Sequence, residues 1–481
     1  MNLGDRMSDP RSLRRAFLSA CLALCFGCAE APGTEVVALV GATLIDGTGA
    51  PPLVESIVLL EGEHIRAVAK EGAIEIPAGS TVVDLSGRWI VPGLIEANGH
   101  VTFDGQIDHA AFFARHHDRA FDIGAENLRT ALDQGVTTIR DTHGPTASLF
   151  ELRDAVDAGT VVGSRLFTSG AILNYESLLD IPSTKQLDEA QVARAREQLD
   201  LFIEGEEQGR AVIAKLHGRQ ADFVKISLSG RLPGAPPPQR LSDEVLTTLL
   251  DEAQRRGLRT TTHTMNVTDL QRAVALGFDA LEHPAFTLQL GEGAAWPEGL
   301  AERIAEAGIF SVPLLVAMEV YITFLEEPER LEDERLAPVP SELLEDARAW
   351  LQREGSDPSI LASRRARYAV VRDNLRQLIA AGAPIAMGTD RGTRLNYHEH
   401  ANHVRELEIY VELGMTKLEA LRSATLRGAE ILGVEDRLGS IEPGKLADLV
   451  VLRADPLTDL RALDEVAMVF QNGARVDGGG R

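Results

Sequence analysis

Ionisable side chains recur in this sequence at the C-terminal ends of short apolar runs. Five runs have this form: WIVPGLIEANGH, ADFVKISLSG, LRTTTH, FDALEH and APIAMGTD. The polar residues at their ends are Asn98, His100, Lys225, His263, His283 and Asp390. Imidazole, amine and carboxylate groups together can bind a divalent metal ion and move a proton, which is the chemistry of a hydrolytic zinc-type site. The residues therefore predict a metal-dependent hydrolase.

These side chains are far apart in the sequence, so the fold has to bring them together. Strand-like and helix-like runs alternate through the middle of the chain, which favours an α/β fold with a parallel sheet. We predict strands near residues 90–96, 136–140, 165–169, 223–227, 258–262, 280–282, 310–313 and 384–387. Eight such units fit a (β/α)8 TIM barrel, in which the strand C-termini form the active-site face.

Both chain ends are typical of β-structure, because apolar runs alternate there with glycine and proline turns. We therefore predict a small β-sandwich domain formed from both ends. The predicted boundaries are an export signal over 1–31, the N-terminal part of the sandwich over 32–91, the barrel over 92–430 and the C-terminal part of the sandwich over 431–481. A charged, proline-interrupted stretch over 316–368 predicts a helical insertion that could cover the site.

The sequence resembles the amidohydrolase superfamily, in the branch of imidazolonepropionase-like and Xaa-Pro dipeptidase-like enzymes. The motifs that carry the resemblance are GATLIDGTG, VPGLIEANGH, GVTTIRD, ADFVKISLSG, LEHP, GTD and GSIEPGKLADLVVL. Each motif is short, but their order and spacing are specific. The resemblance implies hydrolysis of a C–N bond in an amide, cyclic amide or dipeptide-like substrate. It also implies one or two divalent metal ions, for which we expect zinc.

The resemblance implies roles for the residues at the strand ends. His263 and His283 match the histidines that bind the more exposed metal ion. Lys225 matches a lysine that becomes a carbamate and bridges two metals; the alternative is a lysine ion-paired with Asp390 without metal. Asp390 matches the residue that contacts the metal and acts as general base on the metal-activated water. We expect Asp390 and His263 to be catalytic, and His100 to complete the metal ligands.

The sequence departs from the family pattern at the first strand. The usual His-x-His motif is replaced by Asn98-Gly99-His100, and Glu96 stands where an aspartate is usual. A neutral amide oxygen is a weaker ligand than an imidazole nitrogen. Asn98 is therefore a poor ligand for the buried metal, and the site holds either one ion or two. The segment SGAILNYES also lacks the Gly-Gly-His-Gly run of the dipeptidase-like branch, so that substrate class is not carried over.

The remaining histidines divide into two groups. His143 follows the second predicted strand and His398 follows the last one, so we expect both to bind substrate. His400 and His403 lie close to His398 in the sequence and are alternatives to it. We expect structural roles for the other histidines, which are His64, His109, His116, His117 and His217.

The composition limits the partners and the compartment. The chain has 481 residues and a net charge of −24, which argues against nucleic acid or an anionic membrane as a partner. All three cysteines, Cys21, Cys25 and Cys28, lie in an N-terminal segment that pairs arginines with an apolar stretch. This pattern predicts an export signal and a periplasmic or envelope location. Cleavage at Cys28 would give a lipid-anchored protein, and ordinary cleavage after Ala31 is the alternative.

Three functions are compatible with the sequence. The first is the amidohydrolase, a small-molecule enzyme that could form a homo-oligomer. The second is a lactone or phosphotriester hydrolase on the same site, because a fold does not fix the reaction. The third is a non-catalytic binding protein, because Asn98 replaces a metal histidine. Metal analysis of the purified protein separates the third function from the first two.

Overall fold

The computed structural model describes residues 35–105, 109–173, 188–199, 203–229, 241–286, 295–393, 395–398 and 402–476. The predicted export signal and its three cysteines lie outside the described residues, so export and lipidation at Cys28 stay predictions. Fractionation of cells that make the wild-type and Cys28→Ala proteins tests both. Within the described ranges, no helix combines the length and the apolar character needed to cross a bilayer.

The strands fall into one mixed sheet and two parallel sheets. In chain order they are β1 (Val36–Leu44), β2 (Leu53–Glu61), β3 (His64–Lys70), β4 (Thr81–Asp84), β5 (Trp89–Pro92), β6 (Leu94–Gly99), β7 (Val136–Asp141), β8 (Arg165–Thr168), β9 (Phe223–Ser227), β10 (Arg259–His263), β11 (Ala280–Glu282), β12 (Phe310–Val312), β13 (Leu449–Leu452), β14 (Val466–Gln471) and β15 (Ala474–Arg475).

The mixed sheet is built from both chain ends. Its order is β15-β14-β13-β5-β1-β2-β3, and β4 pairs with β1. Strand β13 runs antiparallel to β5, with Leu449 opposite Pro92 and Leu452 opposite Trp89. The two ends of the chain therefore share one hydrogen-bonded sheet with a common apolar core. The division of this sheet into two facing layers, as in a β-sandwich, stays a prediction.

The middle of the chain supplies the parallel strands. One sheet has the order β6-β7-β8 and the other has the order β12-β11-β10-β9. Isolated parallel bridges connect Leu173 with Ile226, Ser311 with Ile385, and Gly99 with Arg391. Parallel strands separated by helices confirm the predicted α/β class. Because neighbouring strands run in the same direction, their C-terminal ends share one edge, and the predicted site residues lie there.

Two of the predicted strands differ in the structure. The segment predicted over 90–96 is two strands, because the chain passes from the mixed sheet into the parallel strands at Gly93. The Gly93 amide donates to the Asp448 carbonyl at 2.9 Å, and the next amide donates to the Gly135 carbonyl at 2.9 Å. The segment predicted over 384–387 has only an isolated bridge at Ile385. Its backbone still bonds to both neighbours, through Ala386 to Ser311 and through Met387 to Ala97.

The helices lie between the strands and are amphipathic. They are α1 (His109–His116), α2 (Ala120–Asp133), α3 (Thr146–Asp157), α4 (Glu189–Leu199), α5 (Glu206–Gly218), α6 (Asp243–Arg255), α7 (Val267–Leu276), α8 (Leu300–Glu306), α9 (Val316–Glu326), α10 (Ser341–Glu354), α11 (Pro358–Ala381), α12 (Asn402–Glu412), α13 (Lys417–Ser423) and α14 (Leu426–Leu432). Local signals set their ends. The Asn266 side chain accepts from the Asp269 amide to start α7, and Gly277 ends it at a φ of 78°.

The predicted insertion over 316–368 is helical, as α9, α10 and the start of α11 occupy it. Its apolar residues, among them Tyr321, Leu343 and Trp350, share one buried cluster with Phe103 and Tyr397. Phe103 follows β6 and Tyr397 follows the last bridged segment, so this cluster reaches the edge that carries the predicted site. The role of the insertion as a cover over the site stays a prediction.

Candidate active site at the strand ends

The ends of β10 and β11 bring His263 and His283 into contact. The Nδ1 atom of His263 lies 2.8 Å from Nε2 of His283. The Nδ1 atom of His283 lies 2.9 Å from the carbonyl oxygen of Thr264. Because a carbonyl oxygen only accepts, His283 donates through Nδ1 and keeps a lone pair on Nε2. Burial lowers the pKa of His283 to about 4, and the charge of Lys225 adds to this effect. His283 is therefore a neutral imidazole, and its unprotonated Nε2 faces Nδ1 of His263.

A second pair forms between His100 and Asp390. Nε2 of His100 lies 3.0 Å from Oδ1 of Asp390, and Nδ1 of His100 lies 2.8 Å from the carbonyl oxygen of His143. His100 therefore also donates through Nδ1, which leaves Nε2 directed at the carboxylate. Burial would raise the pKa of Asp390, but the hydrogen bond and charge of His100 hold it well below its usual range. The Asp390 side chain is 26% exposed, so an ionised carboxylate faces accessible space.

The backbone at these strand ends is strained. Asp390 has a φ of 61° and His283 a φ of 38°, and both lie in the left-handed region that favours glycine. Such conformations cost about 1–3 kcal/mol each and persist where the surrounding structure enforces them. Here they occur at two of the predicted site residues, at the common edge of the strands.

Lys225 lies in the middle of β9 and is 3% exposed. Its Nζ donates to Oγ1 of Thr142 at 2.9 Å. Burial lowers the pKa of Lys225 to about 8, although the negative charges of Glu282 and Asp390 oppose this shift. Near neutral pH the side chain therefore has a larger neutral fraction than a lysine in water. The charge of Asp390 acts on both Lys225 and His283, so the separate pairs belong to one electrostatic site.

Asn98 lies in a buried polar network whose other members are not among the predicted site residues. Its Nδ2 donates to Oε2 of Glu282 at 2.8 Å, and its Oδ1 accepts from Thr142 at 2.7 Å. Oε1 of Glu282 also accepts from Arg140 at 2.7 Å and from Thr261 at 2.7 Å. Burial would raise the pKa of Glu282, but the Arg140 guanidinium holds it below the usual value. Arg140, Glu282 and Asn98 form the inner end of the site. It therefore consists of an ion pair that is bonded to a neutral amide.

A sequence signal for this network exists, but it is weak by itself. Glu282 directly precedes His283, and Arg140 and Thr142 flank the end of β7 in the RDTH segment. In a strand, successive side chains alternate between faces, so neighbours of a ligand usually point elsewhere. The register of β9, β10 and β11 is what gathers these residues.

Two further carboxylates hold the strand ends in place. Glu96 accepts from the backbone amides of Asn98 at 3.0 Å and Thr389 at 2.7 Å, so it joins β6 to the segment that carries Asp390. Burial raises the pKa of Glu96 to about 7. Asp141 accepts from the amides of Val101 at 2.7 Å and His143 at 3.1 Å. These contacts hold the backbone around Asn98, Val101, His143 and Thr389 in place.

His143 and His398, the predicted substrate residues, both lie near His100. Nδ1 of His143 accepts from the Ile172 amide at 3.2 Å, and its ring centre lies 6.1 Å from that of His100. Nε2 of His398 lies 3.1 Å from the Phe103 carbonyl oxygen, and burial lowers its pKa to about 3. Both side chains are buried, so their contact with substrate stays a prediction.

The other histidines lie in varied surroundings. His403 is buried in α12, whereas His64 and His217 are exposed. The ring of His116 packs against Phe112 at 4.6 Å, and His117 begins a short 3-10 turn. His400 lies outside the described residues. His109 begins α1.

The donor set fits a divalent metal ion, although it does not form a ready-made cage. Among the described residues, no three His, Cys, Asp or Glu side chains are grouped closely enough to coordinate one ion. Metal-binding histidines typically donate their second ring N–H to a carbonyl or carboxylate. His100 and His283 do this through Nδ1, and each directs Nε2 at another candidate ligand. A cation between these facing donors would take the place of the shared proton.

The profile of the "Amidohydrolase family" matches residues 89–476 of this chain. The match includes the strand ends described above and the C-terminal part of the mixed sheet.

Relatives of known activity match over almost the whole chain. Ochratoxinase from Aspergillus niger is 25% identical over 468 residues, which cover 93% of this chain and 88% of that protein. The structure of phenylurea hydrolase B superposes with a TM-score of 0.76 at 27% identity, covering 92% of this chain and 97% of the other. Molinate hydrolase gives a TM-score of 0.75 at 25% identity, with coverages of 93% and 95%. The family resemblance inferred from the motifs is confirmed.

Proposed function

The chain belongs to the amidohydrolase family and is an enzyme of this hydrolytic class, and we propose that it cleaves a C–N bond next to a carbonyl group with the help of a divalent metal ion. The observation that carries the proposal is the orientation of His100 and His283. Each donates Nδ1–H to a backbone carbonyl and presents Nε2 to the site. A histidine with only a structural role has no need of this arrangement at the active-site edge of parallel strands.

We also propose that the two parallel sheets close into one barrel. The bridges from Leu173 to Ile226, from Ser311 to Ile385 and from Gly99 to Arg391 connect the two parallel sheets on both sides. We propose that they complete a (β/α)8 barrel in which residues 384–391 take the place of the eighth strand. The solved relatives, with TM-scores of 0.75 and 0.76, support this reading.

His100, His263, His283, Asp390 and Lys225 would hold the metal ion. A bound divalent ion, which we propose to be zinc, supplies Lewis acidity to the substrate carbonyl and to the attacking water. Asn98 is the weakest candidate ligand, because its amide is already bonded to Glu282 and Thr142. Its oxygen keeps one lone pair, so coordination by Asn98 stays a prediction.

Asp390 is the proposed general base. Its carboxylate is ionised and faces accessible space, so it can take a proton from the attacking water and pass it to the leaving nitrogen. The bond from His100 fixes the direction of one carboxylate oxygen. The strained backbone at Asp390 and its neighbouring segment limit its movement during this transfer.

Lys225 is the proposed site of a carbamate. The lone pair of the neutral Nζ attacks carbon dioxide, an N–C bond forms, and one pair of C=O π electrons moves onto oxygen. The nitrogen then loses one proton to solvent, which leaves an anionic carbamate with one N–H. This change turns a buried cation into an anionic ligand, and it suits a lysine that burial already disfavours as a cation.

We propose a substrate with an aromatic or aliphatic group beside the scissile bond. The Phe103 ring centre lies 6.4 Å from that of His100 and 6.1 Å from that of His143. Phe103 is fully buried in the apolar cluster of the helical insertion, so it packs behind the site residues and makes that side of the site apolar. The names of the relatives point the same way, because phenylurea hydrolase B is named for an aromatic urea. N-acyl amino acids, amides and phenylureas are therefore the substrates to test first.

Removal and return of the metal tests the proposed function. We expect chelator-treated enzyme to lose C–N bond hydrolysis on a panel of dipeptides, N-acyl amino acids and phenylureas, and zinc, manganese or cobalt to restore it. Lactones and phosphotriesters serve as the comparison panel. Turnover restricted to that second panel would assign the alternative chemistry. A protein that binds no metal and stays inert after addition would be a binding protein.

Asparagine at position 98 should limit the number of metal ions that the chain binds tightly. Arg140 already neutralises Glu282 at the inner end of the site, and Asn98 offers only an amide oxygen. We therefore expect extensively dialysed protein to retain one metal ion per chain. Asn98→His should raise the retained metal toward two, because imidazole is the stronger ligand. Elemental analysis of both proteins decides the point, and two equivalents in the wild type would contradict it.

A further inference from the structure

Thr142 lies directly between Lys225 and Asn98 and is fully buried. Its Oγ1 accepts from Lys225 Nζ at 2.9 Å and donates to Asn98 Oδ1 at 2.7 Å. Its backbone is also held, because the Thr142 amide donates to the Gly99 carbonyl at 3.1 Å. A hydroxyl that is fixed on both sides at the modified lysine has a defined direction.

The direction of the Thr142 hydroxyl follows from Glu282. An ionised carboxylate only accepts, and Glu282 accepts from Arg140, Thr261 and Nδ2 of Asn98. The amide of Asn98 therefore presents its oxygen to Thr142. The hydroxyl of Thr142 has one proton and donates it in the hydrogen bond to that oxygen. What remains toward Lys225 is a lone pair. The network can accept an N–H from Lys225 but cannot donate to it.

Because the Thr142 hydroxyl can only accept from Lys225, it favours one of the two orientations of a carbamate on that lysine. A carbamate nitrogen is planar and has one N–H, because the other positions carry Cε and the carboxylate carbon. If that N–H is bonded to Thr142, the carboxylate group has to point away from Thr142. A carbamate turned the other way would bring carboxylate oxygens against a lone pair of Thr142, which is unfavourable.

We propose that Thr142 is the positioning residue of the Lys225 carbamate, and that its accepting hydroxyl holds the N–H and directs the carboxylate away from the Asn98–Glu282 network. This inference rests on the proposed function, since it requires the carbamate. In this proposal, the network around Asn98 orients the Lys225 carbamate. In this chain the threonine after β7 is therefore a functional residue, although it carries no metal-binding group.

Isotope labelling of the carbamate tests the inference. Wild-type enzyme, Thr142→Val and Thr142→Ser are equilibrated with 13C-bicarbonate, and the carbamate resonance and retained metal are measured on the same samples. Valine removes Oγ1 at similar volume, so we expect a carbamate population about 10-fold to 100-fold weaker, the range for a lost bond to a charged group. Serine keeps the hydroxyl and should keep the signal. If the valine protein is insoluble, Thr142→Ala carries the same expectation, because it also lacks Oγ1.

Thr425→Val is the matched control. Thr425 is equally buried, but its hydroxyl donates to the Leu421 backbone carbonyl at 2.9 Å and not to a residue of the proposed site. We expect this variant to keep the carbamate and the metal. Equal losses in the Thr142 and Thr425 variants, or a full signal in Thr142→Val, would overturn the positioning role. A metal-loaded wild type without the resonance would overturn the inference and leave the hydrolase proposal standing.

Discussion

Lys225→Ala should lose most of its bound metal and nearly all of its turnover. The substitution removes the buried amine that we propose to form the anionic ligand of the metal ion. Since a metal ion supplies several kcal/mol of transition-state stabilisation, the rate should fall on the order of 10³-fold or more. Bicarbonate or a short carboxylic acid should restore part of both, because a free carboxylate can occupy the vacated space.

Metal analysis and turnover of the Lys225→Ala protein check this expectation. Lys215→Ala is the control, since Lys215 is an exposed lysine near the end of α5 and its loss should change neither quantity. Full metal occupancy in Lys225→Ala would show that the lysine is not a ligand.

Asp390→Asn should keep the fold and much of the metal and still lose about 10²–10⁴-fold in turnover, the usual contribution of a general base. An amide can occupy the same space and offer an oxygen, but it cannot take a proton from water. The pairing with His100 at 3.0 Å would persist in altered form, so a gross structural change is not expected.

Turnover, metal content and thermal unfolding of Asp390→Asn distinguish a chemical defect from a folding defect. Asp436→Asn, at an exposed loop position, should behave as the wild type. Activity of Asp390→Asn within about tenfold of the wild type would exclude Asp390 as the base, because a base contributes about 10² or more.

The exchange of Asn98 for histidine also affects the buried Arg140–Glu282 ion pair at the inner end of the site. Removing one partner of such a pair typically costs about 3–5 kcal/mol, because the other charge stays buried. Arg140 and Glu282 are 3% and 0% exposed in their side chains. The guanidinium also stacks on the Phe223 ring at 4.1 Å. Asn98 is therefore one member of a connected set, and its exchange for histidine has to disturb Glu282 and Thr142.

The sequence by itself determined the class of fold and indicated which residues are candidates for the site. Alternation of apolar strands and amphipathic helices is a local property, so β7, β8, β9, β10 and β11 could be predicted within a few residues. The ends of those strands carry polar residues. His263, His283, Lys225 and Asp390 could be selected as candidates from type and position, since ionisable side chains at the ends of apolar runs are unusual elsewhere.

Only the tertiary structure decided how those residues are connected. The pairing of His100 with Asp390 and the contact of His263 with His283 depend on strand register, which a sequence period does not fix. The Arg140–Glu282–Asn98–Thr142 network joins three strand ends and the residue after β7, and its members look like ordinary strand residues when read alone. The eighth predicted strand became a segment with an isolated bridge at Ile385, and the Thr389 amide that follows it donates to Glu96. Hydrogen bonds between residues far apart in sequence carry no local pattern, so these features follow from the packed chain alone.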